Sequence, residues 1–282
     1  MSQQVSYQQT LKPAAVETPL DLLFFRPVAH LFVRMALPTP LSANGMTVIS
    51  ILTGLAGASL LRFQSRRELW AGALLLLLYA ILDCADGQLA RARKTSSRLG
   101  RILDGMSDYI VGVASGVTIA IHLSTRSGPS GLWLAVFGLG SVVLQGTLFD
   151  YFKNRYLTRS NAAYREGDDL EETLAEIERA GSFPVKVLYH VYATFLRVQR
   201  AAGGGERGEP RTAEGAAAYA VRLAPIARGW AWLGPSTHAA LMTVFVFAGQ
   251  MPAYIWVRLT LGNVIMIGLY LEHHRRERAL AA

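Results

Sequence analysis

Charge is scarce in this sequence and cysteine is almost absent. Only 17% of its 282 residues are Asp, Glu, Lys or Arg, whereas 51% are hydrophobic, the balance of a chain whose surface meets lipid more than water. The single cysteine, Cys84, excludes an internal disulfide and reads as a small packed hydrophobe, not a thiolate ligand. No strand-like alternation and no internal repeat runs along the chain, which argues against a β architecture or a solenoid. The opening segment MSQQVSYQQTLKPAAVETP lacks the short apolar core and small-residue cleavage site of a secretory leader, so the first span is expected to act as its own insertion signal. The net charge is +8, yet no basic patch is interleaved with aromatics. Nucleic acid is therefore not an expected partner, and the charge reads as topogenic and as contact with anionic membrane lipids.

What the chain has in quantity is long apolar runs. Runs of about 20 residues, enough to cross ~30 Å of hydrocarbon, recur near 45–63, 69–90, 102–123, 131–152, 235–250 and 252–271. The expected fold class is all-α: a polytopic membrane protein with six transmembrane helices. Ahead of them, TPLDLLFFRPVAHLFVRMAL offers Thr18 as N-cap and Pro19 in the first turn. Arg26, His30 and Arg34 recur there at i, i+4 and i+8, the pattern of an N-terminal interfacial amphipathic helix.

The expected layout is a polar tail over 1–17, the interfacial helix over 18–37, and spans one to four over 38–155. A cytosolic insertion with amphipathic helices follows over 156–215, then spans five and six over 216–272 and a basic tail over 273–282. Within the insertion, EGDDLEETLAEIERA places acids in a first helical turn and Leu170, Leu174 and Ile177 on one face. FPVKVLYHVYATFLRVQR reads as a second interfacial helix and GGGERGEPR as a flexible linker. Arg91, Arg93, Lys94, Arg98 and Arg101 lie between spans two and three, and Arg275, Arg276 and Arg278 follow span six, so the positive-inside rule puts both termini in the cytoplasm. Arg62, Arg66 and Arg67 fall on the opposite side of this layout. A bacterial inner membrane, with the site facing the cytoplasm, is the expected location.

Against that oily background, residues 83–108 read DCADGQLARARKTSSRLGRILDGMSD, with four aspartates at fixed spacings. At about 100° per residue, span two carries Asp83, Asp86, Gly87, Ala90 and Arg91 on one face, and span three carries Gly100, Asp104 and Asp108 on another. Intramembrane acids are costly and turn toward a cavity or a partner. Arg91 alone cannot neutralise four of them, so bound cations are the economical solution, and an all-oxygen set points to two ions of Mg²⁺ or Mn²⁺. Paired aspartates that merely cap helix ends do not explain the small residues Gly87 and Ala90 beside them. A pair of divalent ions between carboxylates clamps a phosphate or diphosphate, so the expected substrate is a diphosphate reached from the cytoplasmic membrane surface.

The pattern Asp83-x2-Asp86-Gly87-x2-Ala90-Arg91-x8-Gly100-x3-Asp104-x3-Asp108 resembles, at every fixed position, the signature of the CDP-alcohol phosphatidyltransferase family (class I). The motif covers 26 residues, and the six-span layout extends the resemblance to most of the chain. It implies that Asp83 and Asp104 bridge two metal ions, that Asp86 completes one metal site, and that Asp108 completes the other and serves as general base. It further implies that Gly87, Ala90, Arg91 and Gly100 line a cytidine diphosphate pocket, with Arg91 as a catalytic clamp on the diphosphate, and that Ser97 meets the diphosphate. Such enzymes open their first span with Pro-Asn-x-x-Thr; here Ala43-Asn44-Gly45-Met46-Thr47 keeps Asn44 and Thr47 as nucleotide-binding candidates without the proline. Their side chains could equally cap the first span.

The implied reaction moves a substituted phosphate from a CDP-alcohol to an acceptor alcohol with release of CMP. CDP-diacylglycerol is the favoured donor, and a small CDP-alcohol of the CDP-inositol, CDP-choline or CDP-ethanolamine type is the alternative. Acceptor candidates are Arg98, Arg101, Lys153, Arg155 and His238, with Asp150 beside them; basic residues at span ends also snorkel to headgroups. Arg258, inside the sixth span, is expected to snorkel or to pair. The stretch DLLFFRPVAHLFVRMALPTPLSANGMTVIS also looks like the lead-in of inositol-phosphodiester-forming members, which would favour a polyol phosphate acceptor. A membrane prenyltransferase and a non-catalytic membrane scaffold or transporter are the rival readings. Many relatives are homodimers, and Gly54, Gly57 and Ala58 in span one suit close packing either in a homodimer or within one chain.

Overall fold

The computed structural model describes residues 7–95, 98–161, 170–179, 182–205 and 212–281. Among these the chain is helical, and no strand occurs. Turns at Tyr7–Thr10 and Ala14–Val16 and a wide turn at Asp21–Phe25 lead into α1 (Arg26–Ala36). There follow α2 (Ala43–Leu60), α3 (Arg66–Arg93), α4 (Arg98–Ser160), α5 (Leu170–Arg179), α6 (Phe183–Gly203), α7 (Ala213–Ala231), α8 (Pro235–Phe247), α9 (Met251–Val257) and α10 (Asn263–Ala281). A π-type turn, Arg258–Gly262, joins α9 to α10.

Among the described residues, four stretches are long and apolar enough to cross a membrane: Ala43–Leu60, Arg66–Arg93, Ile102–Ser160 and Met251–Leu280. Six were expected, and the difference has two sources. The 63 residues of α4 are two helical arms meeting at a kink, where Gly128 at φ 63°, ψ −146° is followed by Pro129. Only glycine takes that conformation at no steric cost, and proline cannot continue a helix from the preceding turn. The expected fifth span is α8, which has only 13 residues.

Helix α7 was not expected as an element of its own. Its alanine-rich sequence carries Arg222 and Arg228, yet Tyr219, Leu223, Ile226 and Trp230 are buried against Phe149, Phe152 and Tyr156 of α4. The Trp230 ring stacks on Phe152 at 4.6 Å. The insertion helix α6 likewise packs inward, joining Tyr189, Tyr192 and Leu196 to Ile102 of α4, with Leu170 and Ile177 of α5 against the same cluster.

Helices α2 and α3 approach backbone to backbone. A Cβ on Gly57 would sit 2.9 Å from the Gly72 carbonyl, and one on Gly54 would collide with Val111 of α4 at 2.6 Å. The small residues of span one thus pack within the chain. The Arg26, His30 and Arg34 stripe is divided: Arg26 is buried and paired with Glu17 at 2.8 Å, His30 meets Tyr7 edge to face, and Arg34 is exposed.

The C-terminal helix is tied down by one carboxylate. Glu277 accepts hydrogen bonds from Arg155 Nε and Nη2 at 2.8 and 2.6 Å, from Arg159 Nη1 at 3.1 Å and from the Tyr219 hydroxyl at 2.8 Å. Removing one member of a buried ion pair strands the other charge. Glu277→Ala is expected to lower the stability of the detergent-solubilised protein by about 3 kcal/mol, read as a fall in Tm; an unchanged Tm contradicts this account of how α10 is held.

Candidate active site

Two helices deliver the acids. On α3, Tyr79, Asp83, Asp86, Gly87 and Ala90 share a face by the 3.6-residue repeat, and α4 brings Gly100, Asp104, Ser107 and Asp108 opposite. One carboxylate oxygen each from Asp83, Asp86 and Asp104 lie within 4.8 Å of one another. Asp86 Oδ2 is buried without a hydrogen-bond partner. An orphaned carboxylate oxygen beside two further carboxylates is a donor set suited to a hard divalent cation, so the residues present fit the expected metal.

Asp108 stands beside that trio and has its own support. The Tyr79 hydroxyl donates to Asp108 Oδ1 at 2.6 Å, and Ser107 Oγ donates to Asp83 Oδ1 at 2.8 Å while lying 3.4 Å from the same tyrosine oxygen. Tyr79 and Ser107 thus orient two of the motif acids, and neither was expected. Tyr79 precedes Asp83 by one helical turn, which is the available signal; a tyrosine in an apolar run reads as core until its partner is known.

The four aspartates open into one cavity, whose walls include Asn44, Thr47, Gly87, Ala90, Arg91, Gly100, Asp150 and Lys153. Ser42, not Asn44 or Thr47, caps α2: its hydroxyl accepts from the Gly45 amide at 3.0 Å. That leaves Asn44 and Thr47 on the cavity wall. A Cβ on Gly87 would lie 3.4 Å from the Arg91 guanidinium, so the glycine gives this side chain its resting place. Arg91 Nε donates to the Thr10 carbonyl at 2.7 Å.

The acceptor candidates fall into separate places. Lys153 lines the cavity and binds Asp150 Oδ1 at 2.6 Å, while Tyr109 donates to Asp150 Oδ2 at 3.2 Å. Arg155 is held by Glu277 and Tyr151 and is not part of the cavity wall. His238 hydrogen-bonds to the Tyr254 hydroxyl and borders a neighbouring, mostly apolar cavity that meets the first at Asp108 and Asp150. Arg258 borders that second cavity as well, buried, with its Nε unpartnered; it neither snorkels nor forms an ion pair among the described residues. Ser97 and the side chains of Arg98 and Arg101 lie outside the described residues.

Several cavity residues come from segments that carry no motif. Tyr192, Phe195 and Gln199 of α6 form one wall, and Phe195 packs edge-on against Tyr109 at 4.4 Å. Lys12, Val16, Glu17, Asp21 and Arg26 form another. Burial, followed by the positive charges of Lys153 and Arg26, pushes the Lys12 ammonium below the usual lysine value. No spacing rule links these residues to the aspartates, so only the folded chain brings them together.

The family model for CDP-alcohol phosphatidyltransferase matches residues 41–198. The chain belongs to that family of transferases. It is also 37% identical over 105 residues to the CDP-diacylglycerol–serine O-phosphatidyltransferase of Mycobacterium leprae (strain TN), a stretch covering 36% of this chain and 33% of the relative. The chain thus spans about a third of the length of the curated relative it matches.

If the Tyr79 hydroxyl orients Asp108, Tyr79→Phe removes one charge-assisted hydrogen bond and little volume. CMP release from a CDP-alcohol is then expected to fall about tenfold in kcat, with the donor KM held within about twofold. Wild-type kcat in this variant would exclude the orienting role.

Proposed function

We propose that this protein is a divalent-cation-dependent phosphotransferase of membrane lipid synthesis. It moves a substituted phosphate from a CDP-alcohol to an acceptor hydroxyl and releases CMP. The observation that carries the reading is the meeting of Asp83, Asp86 and Asp104 within 4.8 Å in a cavity that also holds Asp108 and Arg91. A prenyltransferase would also use aspartates and divalent ions on a diphosphate but with a different aspartate spacing, and a scaffold would have no use for them.

Asp83, Asp86 and Asp104, with Asp108 alongside, would hold two Mg²⁺ or Mn²⁺ ions, which when bound supply charge stabilisation for the transferred phosphoryl group. Asp108 accepts the proton of the acceptor hydroxyl as its oxygen attacks the β-phosphorus. The new P–O bond forms as the bond to the CMP oxygen breaks, and CMP departs with the electron pair. Tyr79 and Ser107 keep the carboxylates aimed, so the acids need not reorganise during the step. Arg91, resting over Gly87, faces the diphosphate; Asn44, Thr47, Ala90 and Gly100 give the nucleotide its walls, with Ser97 standing where similar enzymes use a hydroxyl residue on the diphosphate.

CDP-diacylglycerol is the favoured donor, on two grounds. The mycobacterial relative carries that donor in its name. The second cavity, walled by Leu76, Val111, Leu139, Val142 and Met242, leaves the first at Asp108 and Asp150 and suits an acyl chain better than water. Lys153 is the acceptor candidate best placed to meet a polar alcohol, since it is the basic residue of that set described on the wall of the first cavity, beside Asp150.

The membrane layout that suits this chemistry has six crossings, the break at Gly128 separating two of them and α8 supplying the fifth. The basic residues after α3 and in α10 support a site at the cytoplasmic face, with α1 in the interface.

Two measurements test the reading. Purified protein given CDP-diacylglycerol or CDP-polyols, Mg²⁺ and a panel of acceptor alcohols is expected to release CMP, and a chelator to abolish it; absence of CMP across the panel overturns the proposal. Asp108→Asn is expected to reduce turnover by about 10² or more, the scale of a lost general base. Near-wild-type turnover would remove Asp108 from that role.

A further inference from the structure

Residues 7–17 carry no motif and belong to the stretch expected to form a polar tail. Instead they bridge two helices: Tyr7–Thr10 packs against α3 and Ala14–Val16 against α7. Between these contacts lies Lys12, on the wall of the aspartate cavity. The strap is fastened on both sides, by Arg91 Nε to the Thr10 carbonyl at 2.7 Å and by the buried Arg26–Glu17 pair at 2.8 Å. Thr10, Val16 and Glu17 are buried.

The cations of this cavity differ in how they are satisfied. Arg26 has Glu17, Lys153 has Asp150 at 2.6 Å, and Arg91 has the Thr10 carbonyl. Lys12 makes no hydrogen bond or ion pair among the described residues. It is half-buried, within electrostatic reach of three cations, Lys153, Arg26 and Arg91, and of two acids, Asp104 and Asp86. Asp86 and Asp104 are also the acids a divalent ion would engage, so neither is a dedicated counterion. An ammonium held among like charges in a partly desolvated cavity is unfavourable until an anion joins it.

We propose that Lys12 is a substrate-binding residue, delivered by the N-terminal strap, whose ammonium takes an anionic phosphate or carboxylate oxygen of one of the two substrates beside the aspartate cluster. This rests on the reading of the cavity as a CDP-alcohol phosphotransferase site. The anion comes either from the diphosphate of the donor or from an acidic group on the acceptor, and both present the same chemistry to a lysine. The strap thereby ties the placement of a substrate charge to a segment outside the family motif.

The test uses the full chain in detergent micelles with CDP-diacylglycerol, Mg²⁺ and, in separate arms, L-serine, glycerol 3-phosphate and myo-inositol 1-phosphate as acceptors. KM for each substrate, kcat and Tm are measured for wild type, Lys12→Met and Lys12→Arg. Lys12→Met is expected to raise one KM by about tenfold or more, the scale of a lost charge-assisted contact, with Tm unchanged and Lys12→Arg recovering most of the loss. A rise in the donor KM assigns the anion to the diphosphate, and a rise in an acceptor KM assigns it to the acceptor. Unchanged KM values overturn the proposal. So does a loss confined to kcat and Tm that Lys12→Arg does not repair, since that marks a strap that only braces the fold. CDP binding by calorimetry separates the two levels. A wild type that neither binds CDP nor releases CMP overturns the parent reading and this one together, whereas a wild type that turns over and is matched by Lys12→Met overturns this one alone.

Discussion

Mutual repulsion among the motif carboxylates is the constraint from which the rest of the site follows. Three of them converge within 4.8 Å inside a helical body, and no arginine or lysine forms an ion pair with any of the three among the described residues. Such a cluster persists only where neighbouring groups hold each carboxylate in place and where cations join it in use. The hydrogen bonds from Ser107 to Asp83 and from Tyr79 to the neighbouring Asp108 supply part of the first condition. The close approach of α2 and α3 at Gly57 and Gly72 supplies a rigid frame for the helix that carries two of the acids.

The positive charges are arranged with equal economy. Arg26 and Lys153 line the cavity with their own acids beside them, whereas Arg155 is drawn away to Glu277 and serves the anchoring of α10. Charges at the same level of the molecule therefore do different work. Arg155 and Lys153 sit two residues apart on α4, and the helical repeat turns them toward different neighbours. The walls come from distant parts of the chain: the N-terminal strap, α6 of the insertion and the start of α8 all reach the cavity. The insertion is thus joined to the site through Tyr192 and Phe195, and the aromatic contact with Tyr109 connects it to the Asp150–Lys153 pair.

Membrane character and helical class were legible because hydrophobicity accumulates along the chain and needs no knowledge of contacts. The span count was less so: the Gly128-Pro129 break is a kink within one long apolar stretch, and α8 is shorter than an apolar window suggests. The position of α7 was hidden for a related reason, since its arginines mask a face that becomes apolar core only when Phe152 and Tyr156 are beside it.

The sequence by itself determined the acids, their faces on two helices and the family they belong to, because these depend on spacing within 26 residues and on the fixed geometry of the α-helix. Only the tertiary structure decided that Tyr79 and Ser107 support the acids, that Arg155 turns to Glu277, and that Lys12 borders the cavity from the N-terminal strap. Those pairings join residues up to 122 positions apart. Their partners are chosen by how the helices pack, and no local periodicity records that choice.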